Sequence, residues 1–377
     1  MQSVYRRPLP DHFVTFSSAE GRTLFREALA DGTLEGFFPV AEQFNTQSDP
    51  AFCGLSSLVV ALNALGIDPG RLWKGPWRWF GEELLDCCAS LDSVRDTGVT
   101  LLQLGCLARC NGADTGIEFA DQRPLEAFRE DVVTASRSAG GLILLAAYSR
   151  KVLGQTGDGH FSPLAGYHAG RDAVLVLDVA RFKYPPHWVP LALLHESMQA
   201  HDPVSGRARG WLKLTPRGTP SSLAYYVSCR GAGWMDFLTQ IFTLAPSELA
   251  RTVPANAGQA LVELARVCLR AGLTSVVEVR DTATEEHAAL ANEMRCALRA
   301  TRVHRVLEPE LPEGRSEIVT LFALAAPEEL WAPLPDSARA ELARWIDEGR
   351  YHPLLRPEVA HIATQIEELR KVLAIRW

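Results

Sequence analysis

Cys53, His160 and Asp178 are the residues of this chain whose types, order and neighbours could do covalent chemistry. Cys53 opens a run in which Leu55, Leu58, Val59, Leu62 and Leu65 fall at helical spacing, with Gly66 as a stop. Free N–H groups and the dipole at a helix start favour an anion, lower a thiol pKa and populate the nucleophilic thiolate. The plainer alternative is a small apolar residue buried beside Leu55. His160 lies in a Gly-Asp-Gly-His-Phe string, and Asp178 in the apolar run Leu175-Val-Leu-Asp-Val179. An unpaired buried carboxylate is costly, so Asp178 needs a partner; a neighbouring imidazole supplies one and has its tautomer fixed in return. Gln47, six residues before Cys53, could donate to a developing oxyanion together with the Cys53 backbone N–H. Thiol nucleophile, then imidazole base, then polar orienter is an acyl-transfer order.

The elements that must position these groups follow from pattern and turn chemistry. Residues 53–65 and 100–110 read as helices, and 141–148 as a buried strand. Residues 160–168 and 173–180 read as a hairpin joined by Ala-Gly-Arg-Asp, and the midpoint of residues 160 and 178, at 169, falls at that turn. That register sets residue 160 nearly opposite residue 178, to within a residue or two. Helices followed by antiparallel strands predict an α+β fold. Thr215–Ser222, rich in Pro, Gly, Ser and Thr, reads as a linker between domains at 1–220 and 221–377. Beyond it, 257–271 and 337–349 read as helices and Ile318–Leu324 as a strand. The charged stretch 280–295 reads as a solvated helix face.

With 377 residues, 47% hydrophobic and 22% charged, the chain has the composition of a globular protein large enough to bury its own core. Its net charge is -7 and both halves are acidic, which argues against nucleic acid as a partner. No apolar run is long enough to span a membrane, and residues 1–13 lack the apolar core of a signal peptide. A cytoplasmic protein with reduced thiols is therefore expected. Of eight cysteines, Cys53, Cys87, Cys88, Cys106 and Cys110 crowd into 58 residues. A cytosolic cluster of this kind suggests catalysis or metal more than disulfides.

Six long strings, in order along residues 1–220, resemble phytochelatin synthase, closest to its eukaryotic two-domain members. They are residues 42–54, 63–71, 73–80, 85–88, 155–163 and 177–190. The resemblance implies a papain-like catalytic domain and a mainly helical α/β second domain. It further implies a transpeptidase that acts on glutathione and extends (γ-Glu-Cys)n-Gly by one unit. On matching positions Cys53 is the nucleophile, His160 the acid/base, Asp178 the orienter and Gln47 the oxyanion donor. Asp202 and Arg209 match the positions that hold the ammonium and carboxylate of the donor's glutamyl head. Gly159 joins that substrate set, and Arg181 and Lys183 are candidates for the acceptor's carboxylates. Cys87, Cys88, Cys106 and Cys110 match the family's catalytic-domain cysteines. Soft thiolates suit Cd(II), Zn(II) and Cu(I), although none of these spacings is a four-ligand zinc pattern.

No organic cofactor is implied; the metal enters as an activator, mainly as a metal–glutathione thiolate substrate. Glutathione and its metal complexes are thus the expected partners, with a homodimer as the candidate assembly. The second region holds only Cys229, Cys268 and Cys296, where many plant members carry cysteine clusters. It is read as stabilising or activity-tuning, not as a thiolate sensor. His168 and His187 read as structural, and Trp73, Trp77 and Trp79 as core or pocket wall. The competing functions are a hydrolase of glutathione or its conjugates on the same fold, and a non-enzymatic thiol buffer. Eight cysteines without paired chelating motifs make the last a poor reading.

Overall fold

The computed structural model describes residues 6–70, 72–86, 89–217, 224–227, 233–273, 277–279, 285–312 and 314–374. The chain divides into two compact units. One comprises Met1–Asp68, Trp79–Leu85 and Leu91–Gly218; the other comprises Pro69–Arg78, Asp86–Ser90 and Thr219–Trp377.

In the first unit a seven-stranded antiparallel sheet has the order β1-β6-β5-β4-β3-β7-β2. Its strands are β1 (Val14–Thr15), β2 (Ala113–Phe119), β3 (Ile143–Ser149), β4 (Gly159–His168), β5 (Ala173–Val176), β6 (His187–Pro190) and β7 (Gly210–Pro216). Helices α1 (Ala19–Ala30), α2 (Phe37–Glu42), α3 (Cys53–Ala64), α4 (Leu91–Thr97), α5 (Leu101–Cys110), α6 (Leu125–Ser136) and α7 (Leu191–Gln199) complete it. This is an α+β architecture, as the pattern predicts. β3 is buried at all seven positions because helices cover both faces of the sheet. Leu144, Ala146 and Tyr148 join Phe128 and Val132 of α6 and Leu191, Leu194 and Met198 of α7 in one core. The alternate residues face the other side, where α3 packs on β3 and β4. α5 starts at a capping box: the Gln103 N–H donates to Thr100 Oγ1 at 3.2 Å, and the Thr100 N–H donates to Gln103 Oε1 at 2.8 Å.

The β4–β5 hairpin closes through a 3-10 turn at Ala169–Arg171, with Asp172 left-handed at φ 43°. A register shift falls between Leu164 and Gly166, the ladder resumes at Leu164 with Val176, and residues 177–180 are not strand although the Leu177 N–H donates to the Pro163 carbonyl at 3.0 Å. The observed pairs His168 with Ala173 and Tyr167 with Val174 stand three residues beyond the partners that the expected register gives, and the shift brings Leu164 with Val176 to within two. β7 runs to Pro216, so the first residues of the candidate linker are strand; residues 218–222 of it lie outside the described set.

Gly210 of β7 faces Phe119 of β2, and a Cβ there would collide with the backbone carbonyl of Glu118. Backbone cannot give way as a side-chain tip can. Gly210→Ala is expected to destabilise by about 1–3 kcal/mol. A melting curve for the purified variant tests this, and an unchanged Tm would show that the β2–β7 pair can spread.

Among the described residues the second unit is mainly helical, with an antiparallel pair, Tyr225–Val227 on Val277–Val279. Helices at Ala257–Arg270 and Asp336–Arg350 stand where the periodicity puts them. The stretch read as a solvated face is described from Glu285, as a helix to Ala300. Ile318–Leu324 is not a strand: it lies inside the helix Ser316–Ala325. That helix packs against Arg302–Leu307, Asp336–Arg350 and Arg356–Ala374, so eight of its ten residues are buried and it shows no polar face. A short all-apolar run cannot declare its period. Trp77 (69% exposed) and Trp79 (41%) are not core residues either. Among the described residues no helix is long and apolar enough to cross a membrane.

Candidate active site

The loop before α3 is built to present Cys53. The Ala51 N–H donates to Asp49 Oδ1 at 2.9 Å and the Phe52 N–H to the Asp49 carbonyl at 3.0 Å, which turns the chain into the helix. The Gln47 N–H donates to the Val179 carbonyl at 3.1 Å and ties this loop to the segment that carries Asp178. Ser48 donates through its N–H and its hydroxyl to Glu82, a buried carboxylate whose pKa burial raises.

Cys53, His160 and Asp178 come together. His160 is the second residue of β4, and its Nε2 lies 2.9 Å from Oδ1 of the fully buried Asp178. This leaves Nδ1 clear of the carboxylate, and the imidazole and the Phe161 backbone both favour the Cys53 anion. Burial pushes the Cys53 pKa up, but His160, the Phe161 backbone and Arg150 outweigh it and hold the thiol below its ordinary value. Burial and Arg150 push His160 down, while Asp178 and Cys53 outweigh them and hold it above its ordinary value. Asp178 lies well below the usual carboxylate range: burial opposes this, and His160 and Arg150 overcome it. A thiolate–imidazolium pair is the state these shifts favour.

Arg150, just past β3, belongs to the site and was not among the residues the sequence pointed to. It is 2% exposed, and its Nη2 donates to both carboxylate oxygens of Asp178, at 2.9 and 2.8 Å. The signal was present in Asp178 itself. A carboxylate offers about four acceptor positions, and one imidazole N–H fills one of them. His187, read as structural, is a buried neighbour of this cluster, bonded to Gln155 and the Pro185 carbonyl. His168 pairs with Glu27, at 2.8 Å, away from the site.

Cys53 and His160 line a cavity of about 330 Å³ that also includes Asp158, Gly159, Asp202 and Arg209, within the range of small-molecule sites. Arg209 is buried and held: Nη1 donates to the carbonyls of Ala200 and His201, each at 2.9 Å, and Nη2 lies 3.5 Å from Asp158. Gly159 leaves room for it, since a Cβ there would stand 3.3 Å from Arg209 Nη2. The Asp202 carboxylate accepts from the Val204 and Ser205 N–H groups and the Ser205 hydroxyl, at 2.9–3.3 Å.

Other candidates are placed elsewhere. Gln47 does not line the cavity; its Nε2 donates to the carbonyls of Asp49 (2.8 Å) and Pro50 (3.0 Å). Arg181 and Lys183 also lie outside the cavity wall. Arg181 is exposed with its guanidinium 5.1 Å from the Phe44 ring. Lys183 is half-buried, and burial and Arg150 lower its pKa.

Of the four metal candidates, Cys87 and Cys88 lie outside the described residues. Cys106 is disulfide-bonded, which corrects the expectation of a reduced thiolate ligand, and Cys110 is buried. Among the described residues no group of three or more His, Cys, Asp or Glu is arranged to hold a metal ion.

The phytochelatin synthase family model matches residues 4–211. A wheat (Triticum aestivum) protein named glutathione gamma-glutamylcysteinyltransferase 1 is 48% identical over 68% of this chain and 54% of its own length. The chain therefore spans about half the length of that relative. Glutathione gamma-glutamylcysteinyltransferase 2 of Arabidopsis thaliana is 34% identical over 98% of this chain and 96% of its own. A Schizosaccharomyces pombe protein named glutathione gamma-glutamylcysteinyltransferase is 36% identical over 99% and 85%.

Proposed function

Since this chain belongs to the phytochelatin synthase family, we propose that it transfers γ-glutamylcysteine from one glutathione to another through a thioester on Cys53. The observation that carries this is the convergence of Cys53, His160 and Asp178 on a cavity whose wall also bears Asp202 and Arg209. A helix-borne thiolate against a sheet-borne imidazole is the papain-like arrangement, and the fold is read accordingly.

The Cys53 thiolate attacks the carbonyl of the Cys–Gly bond. As the C–N bond breaks, the His160 imidazolium gives its proton to the nitrogen, glycine departs, and the γ-Glu-Cys acyl group remains on sulfur. The α-amine of a second glutathione then attacks the thioester and His160 takes back the proton. An amide forms, the thiolate is released and the product is one unit longer. One imidazole thus serves as acid and then as base. The Asp178 carboxylate, ionised throughout, stabilises the imidazolium when it forms.

The glutamyl head of the donor offers a carboxylate and an ammonium. Arg209, rigid and buried, suits the first, and Asp202 the second. Gln47 is assigned to the oxyanion after its side chain turns from the Asp49 and Pro50 carbonyls. Arg181 and Lys183 supply positive charge for the acceptor outside the donor cavity. Heavy metal enters mainly as a metal–glutathione thiolate, a substrate form.

Incubation with glutathione, with and without Cd(II), followed by separation of the thiols, tests the reading. Oligomers of the γ-Glu-Cys series are expected. Free γ-Glu-Cys alone would make the protein a hydrolase, and no glycine release would refute the assignment. Arg209→Met should raise the KM for glutathione about 10–100-fold, the value of a charge-assisted hydrogen bond. An unchanged KM would remove Arg209 from the donor site.

A further inference from the structure

We propose that Arg150 is a positioning residue of this site, whose guanidinium fixes the carboxylate that orients His160 and sets the pH at which Cys53 becomes reactive. The proposal rests on the reading of Cys53 and His160 as a thiolate–imidazolium pair.

Arg150 reaches in two directions. Nη2 lies 2.9 and 2.8 Å from the two oxygens of Asp178, and Nη1 lies 2.7 Å from Gln155 Oε1. Gln155 Nε2 in turn lies 3.2 Å from His187 Nε2, while His187 Nδ1 lies 2.8 Å from the Pro185 carbonyl. The carbonyl can only accept, so Nδ1 carries the proton and Nε2 accepts from Gln155. One polarised chain of hydrogen bonds therefore runs from His187 through Gln155 and Arg150 to Asp178 and His160. The backbone locks it: the Arg150 N–H donates to the Asp158 carbonyl and the Gln155 N–H to the Arg150 carbonyl, both at 2.8 Å. The Tyr184 ring lies 5.0 Å from the guanidinium carbon.

Charge gives the second half of the argument. Thiolate, imidazolium, carboxylate and guanidinium sum to zero in a buried cluster. Without the guanidinium the cluster carries a net negative charge, and the thiolate is the member that can be neutralised by taking up a proton. Tyr148, Lys183, Tyr184 and His187 are the other titratable groups facing Arg150. Tyr148 is held neutral by burial, and burial likewise disfavours the charged form of His187.

Two readings on the whole chain test this. One is the pH dependence of iodoacetamide alkylation, followed on the Cys53 peptide by mass spectrometry. The other is the rate at which glutathione acylates Cys53. Arg150→Gln should move the alkylation midpoint up by about one pH unit or more and slow acylation at least about tenfold. Arg150→Lys restores the cation but not the two-directional fork. It should return the midpoint close to wild type and leave acylation slow. If Arg150→Gln does not fold, Arg150→Lys and Gln155→Met carry the test, since both keep the net charge and both should slow acylation. Folded variants with wild-type midpoint and wild-type acylation rate would overturn the role of Arg150. A wild-type protein whose Cys53 alkylates like an ordinary thiol would instead overturn the ion-pair reading, which is a different outcome.

Discussion

Cys53→Ser is expected to form no acyl-enzyme with glutathione and to lower turnover by about 10⁴-fold or more, the usual scale for a nucleophile that acts as one unit with its base. The reason lies in the tuning. Burial alone would raise the Cys53 pKa; His160, the Phe161 backbone and the Arg150 charge reverse that and populate an anion. A serine hydroxyl in the same place starts far higher in pKa, and the same contacts cannot bring it to an alkoxide. The volume change is one sulfur to oxygen, so the fold should persist, and a melting curve close to wild type serves as the control. Intact-protein mass spectrometry after brief exposure to glutathione reads the thioester directly. Retention of an adduct in Cys53→Ser, on a peptide other than the one containing residue 53, would place the nucleophile elsewhere.

Much of this site was legible because each part has a local signature. A cysteine that opens an amphipathic run is visible in the pattern, and α3 begins at that residue. The Ala-Gly-Arg-Asp string is visible as a turn, and it pairs the strands that carry His160 and lead to Asp178. Thr100 and Gln103 announce a helix start that the structure realises as a capping box. Arg150 has no such signature, because an arginine after an apolar strand is usually solvated and its partner lies 28 residues away. Trp77 and Trp79 depart from expectation for the opposite reason: large aromatic type suggests burial, while both are held at the surface. The helix Ser316–Ala325 failed because tertiary packing buries it on nearly all sides and erases the periodicity that would identify it. Local chemistry reads from sequence; long-range charge pairing and all-round burial do not.

Asp178→Asn brings the catalytic and the structural role of one residue into a single measurement. The amide cannot balance an imidazolium, and it can turn its NH2 toward His160 Nε2, which selects the wrong tautomer. Turnover should fall by about 10³–10⁴-fold on the scale of that change in other acyl-transfer triads. The same substitution strands Arg150, which is 2% exposed and whose Nη2 bonds both carboxylate oxygens. An unpaired buried charge costs about 3–5 kcal/mol, a large share of ordinary domain stability but short of all of it. A folded protein with a lower Tm is therefore expected at neutral pH. The pH dependence gives a further sign. A carboxyl whose folded pKa is depressed contributes stability above its unfolded value, about 3.9, and loses it as pH falls toward the folded value. Wild type should lose this contribution below about pH 4, whereas the asparagine variant has none to lose, so the gap in Tm between them should narrow as the solution is acidified. Parallel melting curves at pH 7 and below pH 4, with glycine release measured at neutral pH, decide the matter. A wild-type rate in a folded Asp178→Asn protein would remove the orienting role, and a gap in Tm that stays constant with pH would deny that Asp178 is held ionised by its buried partners.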